Sequence, residues 1–288
     1  MSMIKKGFSA FALLLVCFYA CAKKEEAPSG ETPAVPAKPA FTPGETVLIP
    51  AGEFIFGSSD KETTAFPQQK INLPAFRIDK YEVTNAEYLD FCIKAPYASE
   101  GNYRLFFTAE KGRYPVVNIT WNDAVAYCKW AGKRLPTEQE WEKAARGADG
   151  RRYPWGEKWE SGRSNTYEAS MRGPTEVTSL DDVSPYGVHD MLGNAQEWTA
   201  DWYKAYKGAT RKDENFGERF RVLRGARWDI YGSKFYLWVR SAALPKALYA
   251  MLDLRLPDEV SRRSSLAIAW RQFEQALEVY IDRRLIAA

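Results

Sequence analysis

Alternating apolar and polar positions mark short strands near the start of the globular region. Residues 47–57 alternate on either side of a turn at Gly52, and residues 76–83 alternate again. A period of two is typical of a strand with one buried face, so both stretches are predicted to form strands. Thr84 then stands where a helix N-cap is expected, ahead of the helical pattern NAEYLDFC. The chain therefore mixes short strands with short helices.

Residues 120–147 predict two capped helices joined by a tight turn. The first has Thr120 as its N-cap, with Asp123 three residues later, and the second has the capping-box pair Thr137 and Glu140. Each helix is followed by a glycine that can take the left-handed conformation and end it. These glycines are Gly132 and Gly147.

The N-terminal region has the pattern of an export signal. In residues 1–20, two lysines precede an apolar run that is too short to span a bilayer comfortably, which predicts a signal peptide. Residues 18–21, FYAC, resemble a bacterial lipobox, so Cys21 is the predicted lipidation site; plain signal cleavage is the alternative. Residues 21–44 are rich in Pro, Ala, Lys and Glu and predict a disordered tether. Both outcomes export the protein.

We therefore expect the protein in the bacterial cell envelope. Lipidation would anchor it to the outer membrane or the cell surface, and cleavage alone would leave it periplasmic or secreted.

The C-terminal residues 257–288 predict an amphipathic helix. Apolar side chains recur there at helical spacing. They are Trp270, Phe273, Leu277, Tyr280, Ile281 and Leu285. Two interpretations are open: the helix packs on its own domain, or it docks on a partner.

Composition narrows the chemistry of the remaining residues, 45–256, which are enough for one large domain. The formal net charge of the 288-residue chain is only +3, so nothing electrostatic points to nucleic acid. The single histidine, His189, excludes a multi-histidine zinc or iron site. Cys92 and Cys128 both fall on predicted helices, where a disulfide and two buried free thiols are equally compatible with the sequence.

Six motifs resemble the formylglycine-generating enzyme family, also called sulfatase-modifying factors. The longest is WNDAVAYCKWAGKRLPTEQEWEKAARG at 121–147; the others are IPAGEF, YEVTN, PWG, YGVHDMLGNAQEW and RVLRGARW. They follow the family order between residues 47 and 255. The resemblance implies an α+β fold, an irregular C-type-lectin-like single domain with little regular secondary structure.

The resemblance also implies a structural calcium ion. The family holds it at the positions of Asp190, Gly193, Ala195 and Glu197. Two carboxylates and two backbone carbonyls on a short loop are hard oxygen ligands of the kind that Ca²⁺ takes. The alternative is that Asp190 and Glu197 cap turns or pair with arginine.

The family's catalytic cysteines have no counterpart in this sequence. They bind copper just after the RGGSW-type segment, and the corresponding residues 229–255 contain neither Cys nor His. Copper(I) needs soft thiolate or thioether ligands, and the region offers only Met251. We therefore expect no copper and lean against catalysis. The alternative is a formylglycine-generating oxidoreductase that acts on sulfatase cysteines.

The same region keeps the spacing of the family pattern, but the residues between the fixed positions are rich in aromatic side chains. This favours a binding surface, because tyrosine and tryptophan give large contact areas at low entropic cost. The predicted ligand-binding residues are Asp229, Tyr231, Lys234, Tyr236, Trp238 and Tyr249. This arrangement resembles the variable lipoproteins that are diversified by retroelements, which implies an extracellular protein or glycan ligand. The alternative is a core strand that has drifted in sequence.

Overall fold

A computed structural model describes residues 40–247, to which all structural statements below refer. The predicted signal peptide, Cys21, residues 22–39 of the tether, Tyr249, Met251 and the predicted helix 257–288 lie outside the described residues. Between residues 40 and 247, no helix has both the length and the apolar character needed to cross a bilayer.

The first four strands form two small antiparallel sheets. Strand β1 (Thr46–Ile49) pairs with β4 (Phe76–Asp79), and β2 (Gly52–Phe56) pairs with β3 (Gln69–Leu73). The strands that flank Gly52 therefore belong to different sheets.

The predicted strand 76–83 is correct only as far as Asp79. Beyond it the Lys80 carbonyl accepts from the His189 backbone N–H at 2.8 Å, and the Val83 carbonyl accepts from the Val116 N–H at 2.8 Å. These two bonds go to segments distant in the sequence, and they turn the chain away from the sheet.

The third sheet joins β5 (Glu197–Trp202), β6 (Arg221–Arg224) and β7 (Ser241–Ala243) in that order, all antiparallel. The register between β5 and β6 shifts between Trp198 and Trp202. An irregularity of this kind increases the local twist of an antiparallel strand pair.

Three α-helices lie among the described residues: α1 (Asn85–Lys94), α2 (Trp121–Trp130) and α3 (Glu138–Arg146). Each begins with a complete capping box, on Thr84, Thr120 and Thr137 respectively. The predicted caps are therefore confirmed. Gly132 and Gly147, with φ of 70° and 71°, follow α2 and α3 as predicted.

The two largest of the four hydrophobic clusters in residues 40–247 surround α3 and join α1 to α2. The larger surrounds Trp141 of α3, which is fully buried with Ala144 and Ala145 beside it. The second joins α1 to α2 through Tyr88, Phe91 and Tyr127. Short helices, small sheets and long irregular connections confirm the predicted α+β fold.

A buried Glu–Arg network ties α3 to the rest of the domain. Its members are Glu138, Glu142, Arg146, Arg224 and Arg240. Arg224 donates to Glu138 at 2.8 Å and to Glu142 at 2.6 Å, and Arg240 donates to Glu138 at 2.6 Å. Burial alone would raise the pKa of Glu138, but Arg240 and Arg224 hold that pKa below its usual value. The charged residues that the longest motif contributes to this network, Glu138, Glu142 and Arg146, therefore stabilise the fold.

Candidate functional site

The segment that follows β6 is held in one conformation by a carboxylate from another loop. The side chain of Glu168 accepts from the Gly232 N–H at 2.9 Å and from the Ser233 N–H at 3.0 Å. Burial would raise the pKa of Glu168, but the hydrogen bonds to Ser233 and Gly232 outweigh it and lower that pKa to about 2. Gly232 is required here, since a Cβ would lie 2.5 Å from the Trp159 ring.

Three of the predicted ligand-binding residues lie on the exposed side of this segment. Asp229, Tyr231 and Lys234 are all exposed, and Tyr231 keeps 40% of its surface accessible. The Tyr231 ring lies 4.4 Å from that of Tyr167, which is itself 52% exposed. Asp229 accepts two hydrogen bonds from the buried Arg227 guanidinium, at 2.7 and 3.0 Å. The segment thus presents a rigid aromatic and charged edge to solvent.

Tyr236 and Trp238 take a different position from the first three. Both are half-buried, their rings are 4.7 Å apart, and they alternate with Phe235 and Leu237, which point into the core. The Arg146 guanidinium lies 4.9 Å from the Trp238 ring centre. The alternative of a core strand therefore describes this half of the segment better than a free surface does, although it forms no regular strand.

A group of four carboxyl side chains, two buried and two half-buried, surrounds the loop at 190–197. Its members are Glu82, Asp182, Asp190 and Glu197. Burial raises the pKa of all four, that of Glu197 to about 7, and their mutual repulsion adds to the rise for Glu82 and Asp190. Among the described residues, none of the four has a Lys or Arg at salt-bridge distance. Arg163 partly offsets the rise for Asp182, but burial dominates, so the four carboxyl groups hold their protons to a higher pH than exposed carboxyl groups do.

Hydrogen bonds show how the loop and its carboxylates are arranged. Glu82 accepts from the Ala195 N–H at 2.9 Å and from the Asn194 amide at 2.7 Å. Asp182 accepts from the Leu192 N–H at 3.0 Å, while its other oxygen and Asp190 Oδ2 are buried without a hydrogen-bond partner. In residues 40–247 no three His, Cys, Asp or Glu side chains form a group that could hold a metal ion. A cation here would need backbone carbonyls among its ligands.

Comparisons with known proteins agree with the fold and with the sequence motifs. Residues 31–250 match the sulfatase-modifying factor enzyme 1-like domain. The chain belongs to the sulfatase-modifying factor family.

Relatives of this sulfatase-modifying factor domain include two bovine proteins. It is 32% identical over 287 aligned positions to the formylglycine-generating enzyme of Bos taurus, covering 77% of this chain and 76% of that one. It is also 32% identical over 237 positions to the inactive C-alpha-formylglycine-generating enzyme 2 of the same organism, covering 63% and 75%. Identity alone does not separate an active from an inactive member.

Solved structures agree on the fold. PvdO of Pseudomonas aeruginosa superposes with a TM-score of 0.56 at 26% identity, covering 72% of this chain and 94% of that one. Variable protein 1 of Treponema denticola gives a TM-score of 0.54 at 21% identity, covering 70% and 90%. The second likeness concerns the fold alone.

The two cysteines of this domain are far from the 229–243 segment in sequence, and both pack against the hydrophobic cluster that joins α1 to α2. Cys92 on α1 and Cys128 on α2 pack against the Tyr88 cluster, and both are free thiols. Burial raises the pKa of both thiols, that of Cys128 to about 11. Of the two alternatives left open by the sequence, the structure has the free thiols.

Sequence reasoning missed several residues that shape these sites. Glu82 and Glu168 reach loops 113 and 64 residues away, so nothing local in the sequence indicates their roles. Tyr167 stands in the loop that Glu168 belongs to, and only its ring contact with Tyr231 reveals it.

Proposed function

We propose that this chain is a non-catalytic member of the sulfatase-modifying factor family that binds an extracellular protein or glycan. The binding surface consists of the exposed Asp229, Tyr231 and Lys234. Tyr236 and Trp238 contribute the accessible part of their half-buried rings, and Tyr249, outside the described residues, belongs to the surface in this proposal. The single observation that carries the proposal is that residues 229–255 contain neither Cys nor His, while the exposed residues within 229–234 are aromatic or charged.

The sequence supports the loss of the oxidase chemistry. A copper-thiolate site needs two cysteines within bonding distance of one ion, and thiols must be deprotonated to bind it. The only cysteines among the described residues are Cys92 and Cys128, which pack in the α1–α2 cluster with raised pKa values.

The geometry of the segment supports binding. Glu168 fixes the backbone at Gly232 and Ser233, so Tyr231 and Lys234 are held in place before any ligand arrives. A preorganised surface loses less conformational entropy on binding than a mobile one does. Tyr167 extends the aromatic edge, and together the two tyrosines give a platform suited to a sugar ring or an apolar side chain.

A calcium ion fits the loop at 190–197. Asp190 and Glu197 would hold it with their carboxylates, and Gly193 and Ala195 with backbone carbonyls. The buried Asp190 Oδ2 has no hydrogen-bond partner, and burial raises the pKa of both carboxyl groups, as expected for acidic side chains that lack their cation. Bound calcium would neutralise this charge and fix the loop that leads into β5.

Export and lipid anchoring at Cys21 place the binding surface outside the cytoplasm in this proposal. Phe41 packs on Tyr81 with the ring centres 5.3 Å apart, and the Gly44 N–H donates to Glu87, so the end of the predicted 21–44 tether belongs to the domain. The part that precedes Phe41 would separate the domain from the outer membrane or cell surface. The alternative function, formylglycine formation on sulfatase cysteines, has one observation in its favour, the 32% identity to the bovine enzyme over 76% of its length.

Binding is tested with the purified chain on a glycan array and on a panel of extracellular proteins that includes fibronectin and laminin. The double variant Tyr231→Ala/Lys234→Ala is compared with Trp130→Ala/Lys129→Ala, which removes an equally exposed aromatic and an exposed lysine from α2. We expect the first pair to lose at least about tenfold in affinity and the second pair to bind as the wild type. Equal binding by both pairs would show that the 229–234 edge is not the binding surface.

A further inference from the structure

A cavity of about 500 Å³ lies between the β1–β4 sheet, helix α2 and the start of β5. Protein interiors rarely leave voids much larger than a water molecule, and pockets of 300–1,000 Å³ are typical of small-molecule sites. None of the residues that line this cavity belongs to the 229–243 segment. The cavity is therefore separate from the proposed binding surface.

The walls of the cavity are mainly apolar. They include Ile78, Val83, Val116, Ile119, Tyr127 and Leu135. Its mouth is marked by the exposed lining residues Arg77 and Arg134, and its floor by the buried Val188, Met191 and Ala195. Such a shape suits a small organic molecule with an apolar body.

The inner end of the cavity is acidic. Glu82 lines the cavity and receives hydrogen bonds only from neutral donors, the Ala195 N–H and the Asn194 amide. His189 also lines the cavity. Only 8% of this residue is exposed, and its Nδ1 atom has no hydrogen-bond partner among the described residues.

Two of the three cations that line the mouth are paired with carboxylates. Lys133 pairs with Asp79 at 2.6 Å, and Arg134 pairs with Glu140 at 2.7 Å. The third, Arg77, is exposed and donates to the Thr46 hydroxyl at 3.1 Å. At the inner end, the acidic groups that an occupant meets are Glu82 and, when no metal is bound, Glu197, and an ammonium group there would favour their ionised forms.

We propose that this cavity binds a small organic amine, with the apolar body between the sheet and α2 and the ammonium group against Glu82. The occupant carries a positive charge because charge-assisted hydrogen bonds to a carboxylate are the strongest contacts the lining offers. His189 Nδ1 provides a further polar contact. Calcium on Asp190 and Glu197 would leave Glu82 facing the cavity, so the two ligands use different carboxyl groups, and this proposal does not rest on surface binding.

The test uses three probes with one indole body and different charges: tryptamine, tryptophol and indole-3-propionate. Isothermal titration is carried out on the purified full chain with calcium in excess. We expect one tryptamine per chain, bound at least about tenfold tighter than tryptophol, and no measurable binding of indole-3-propionate. In Glu82→Gln, the affinity for tryptamine is expected to fall to that for tryptophol, and the affinity for tryptophol is expected to stay unchanged. Equal affinity for tryptamine and tryptophol, or no binding of either, overturns the proposal.

Cys128 provides a second readout that needs no variant. It lines the cavity, whereas Cys92 does not. Saturating tryptamine is expected to slow N-ethylmaleimide labelling of Cys128 at least about threefold, measured by peptide mass spectrometry, and to leave Cys92 labelling unchanged. Unprotected Cys128, or equal protection of both thiols, would place tryptamine elsewhere and overturn the proposal.

Discussion

Replacing Arg224 with methionine removes the central cation of the buried Glu–Arg network. The Arg224 side chain is fully buried and donates to Glu138 at 2.8 Å, to Glu142 at 2.6 Å and to the Leu237 carbonyl at 2.6 Å. Methionine keeps much of the apolar volume but leaves all three acceptors without this donor. Glu138 retains Arg240, and Glu142 retains Arg146.

The expected cost follows from these contacts. Removing one partner of a buried ion pair costs about 3–5 kcal/mol, and an unsatisfied buried carbonyl costs about 1–3 kcal/mol. Because each carboxylate keeps a second guanidinium, we expect a total loss near the lower end, about 4 kcal/mol. For a domain of this size, that corresponds to a fall in Tm of about 10 °C.

Urea denaturation followed by tryptophan fluorescence measures this loss. The matched control is Arg134→Met, which also removes an arginine from a glutamate, but from a pair whose arginine side chain is 65% exposed. Exposed pairs contribute about 0–1 kcal/mol, so the control is expected to change little. Similar losses in the two variants, or a loss below about 1 kcal/mol for Arg224→Met, would refute the assignment of the motif charges to the scaffold.

Three further predictions concern the calcium loop, the aromatic segment and the anchor. With calcium chelated, the free energy of unfolding should fall by at least about 3 kcal/mol as pH rises from about 4.5 to about 7. Burial raises the pKa of Glu197 to about 7, so over this range the folded state keeps a proton on Glu197 that the unfolded state has already lost. Excess calcium should suppress this fall, and a pH profile insensitive to both calcium and Glu197→Gln would contradict the site. Trp238→Ala should lower Tm by several degrees because it removes the ring beneath Arg146, whereas Tyr231→Ala should leave Tm within about 1 °C; the reverse order would contradict the described packing. Cys21→Ser should move the protein from the membrane to the soluble fraction of fractionated cells, and continued membrane association would exclude lipid anchoring at this residue.

The helices were predictable from the sequence because their signals are local. Each capping box joins residues three positions apart, and a glycine after a helix meets the same steric demand in any fold. Thr120 with Asp123 and Thr137 with Glu140 therefore behave as their spacing indicates. Gly132 takes the left-handed conformation for the same reason.

Strand pairing and burial depend on distant partners, which local patterns do not report. Strand β4 ends at Asp79 because Lys80 and Val83 find partners on other segments. Trp238 was predicted as a ligand-binding residue, with a drifted core strand as the alternative; the sequence did not indicate that the Arg146 guanidinium packs on its ring from a helix more than ninety positions earlier. Glu82 was invisible as a site residue because its acceptor role exists only once the loop at 194–195 lies beside it.

The central claim is that this domain binds and does not oxidise. The most direct test loads the purified full chain with copper(I), supplies air and a cysteine-containing sulfatase peptide, and measures aldehyde by hydrazide capture and mass spectrometry. A catalytically active formylglycine-generating enzyme serves as the positive control. We predict no formylglycine above the no-protein background, because residues 229–255 contain no thiolate to hold the metal. Multiple-turnover conversion of the peptide cysteine to formylglycine would contradict the account.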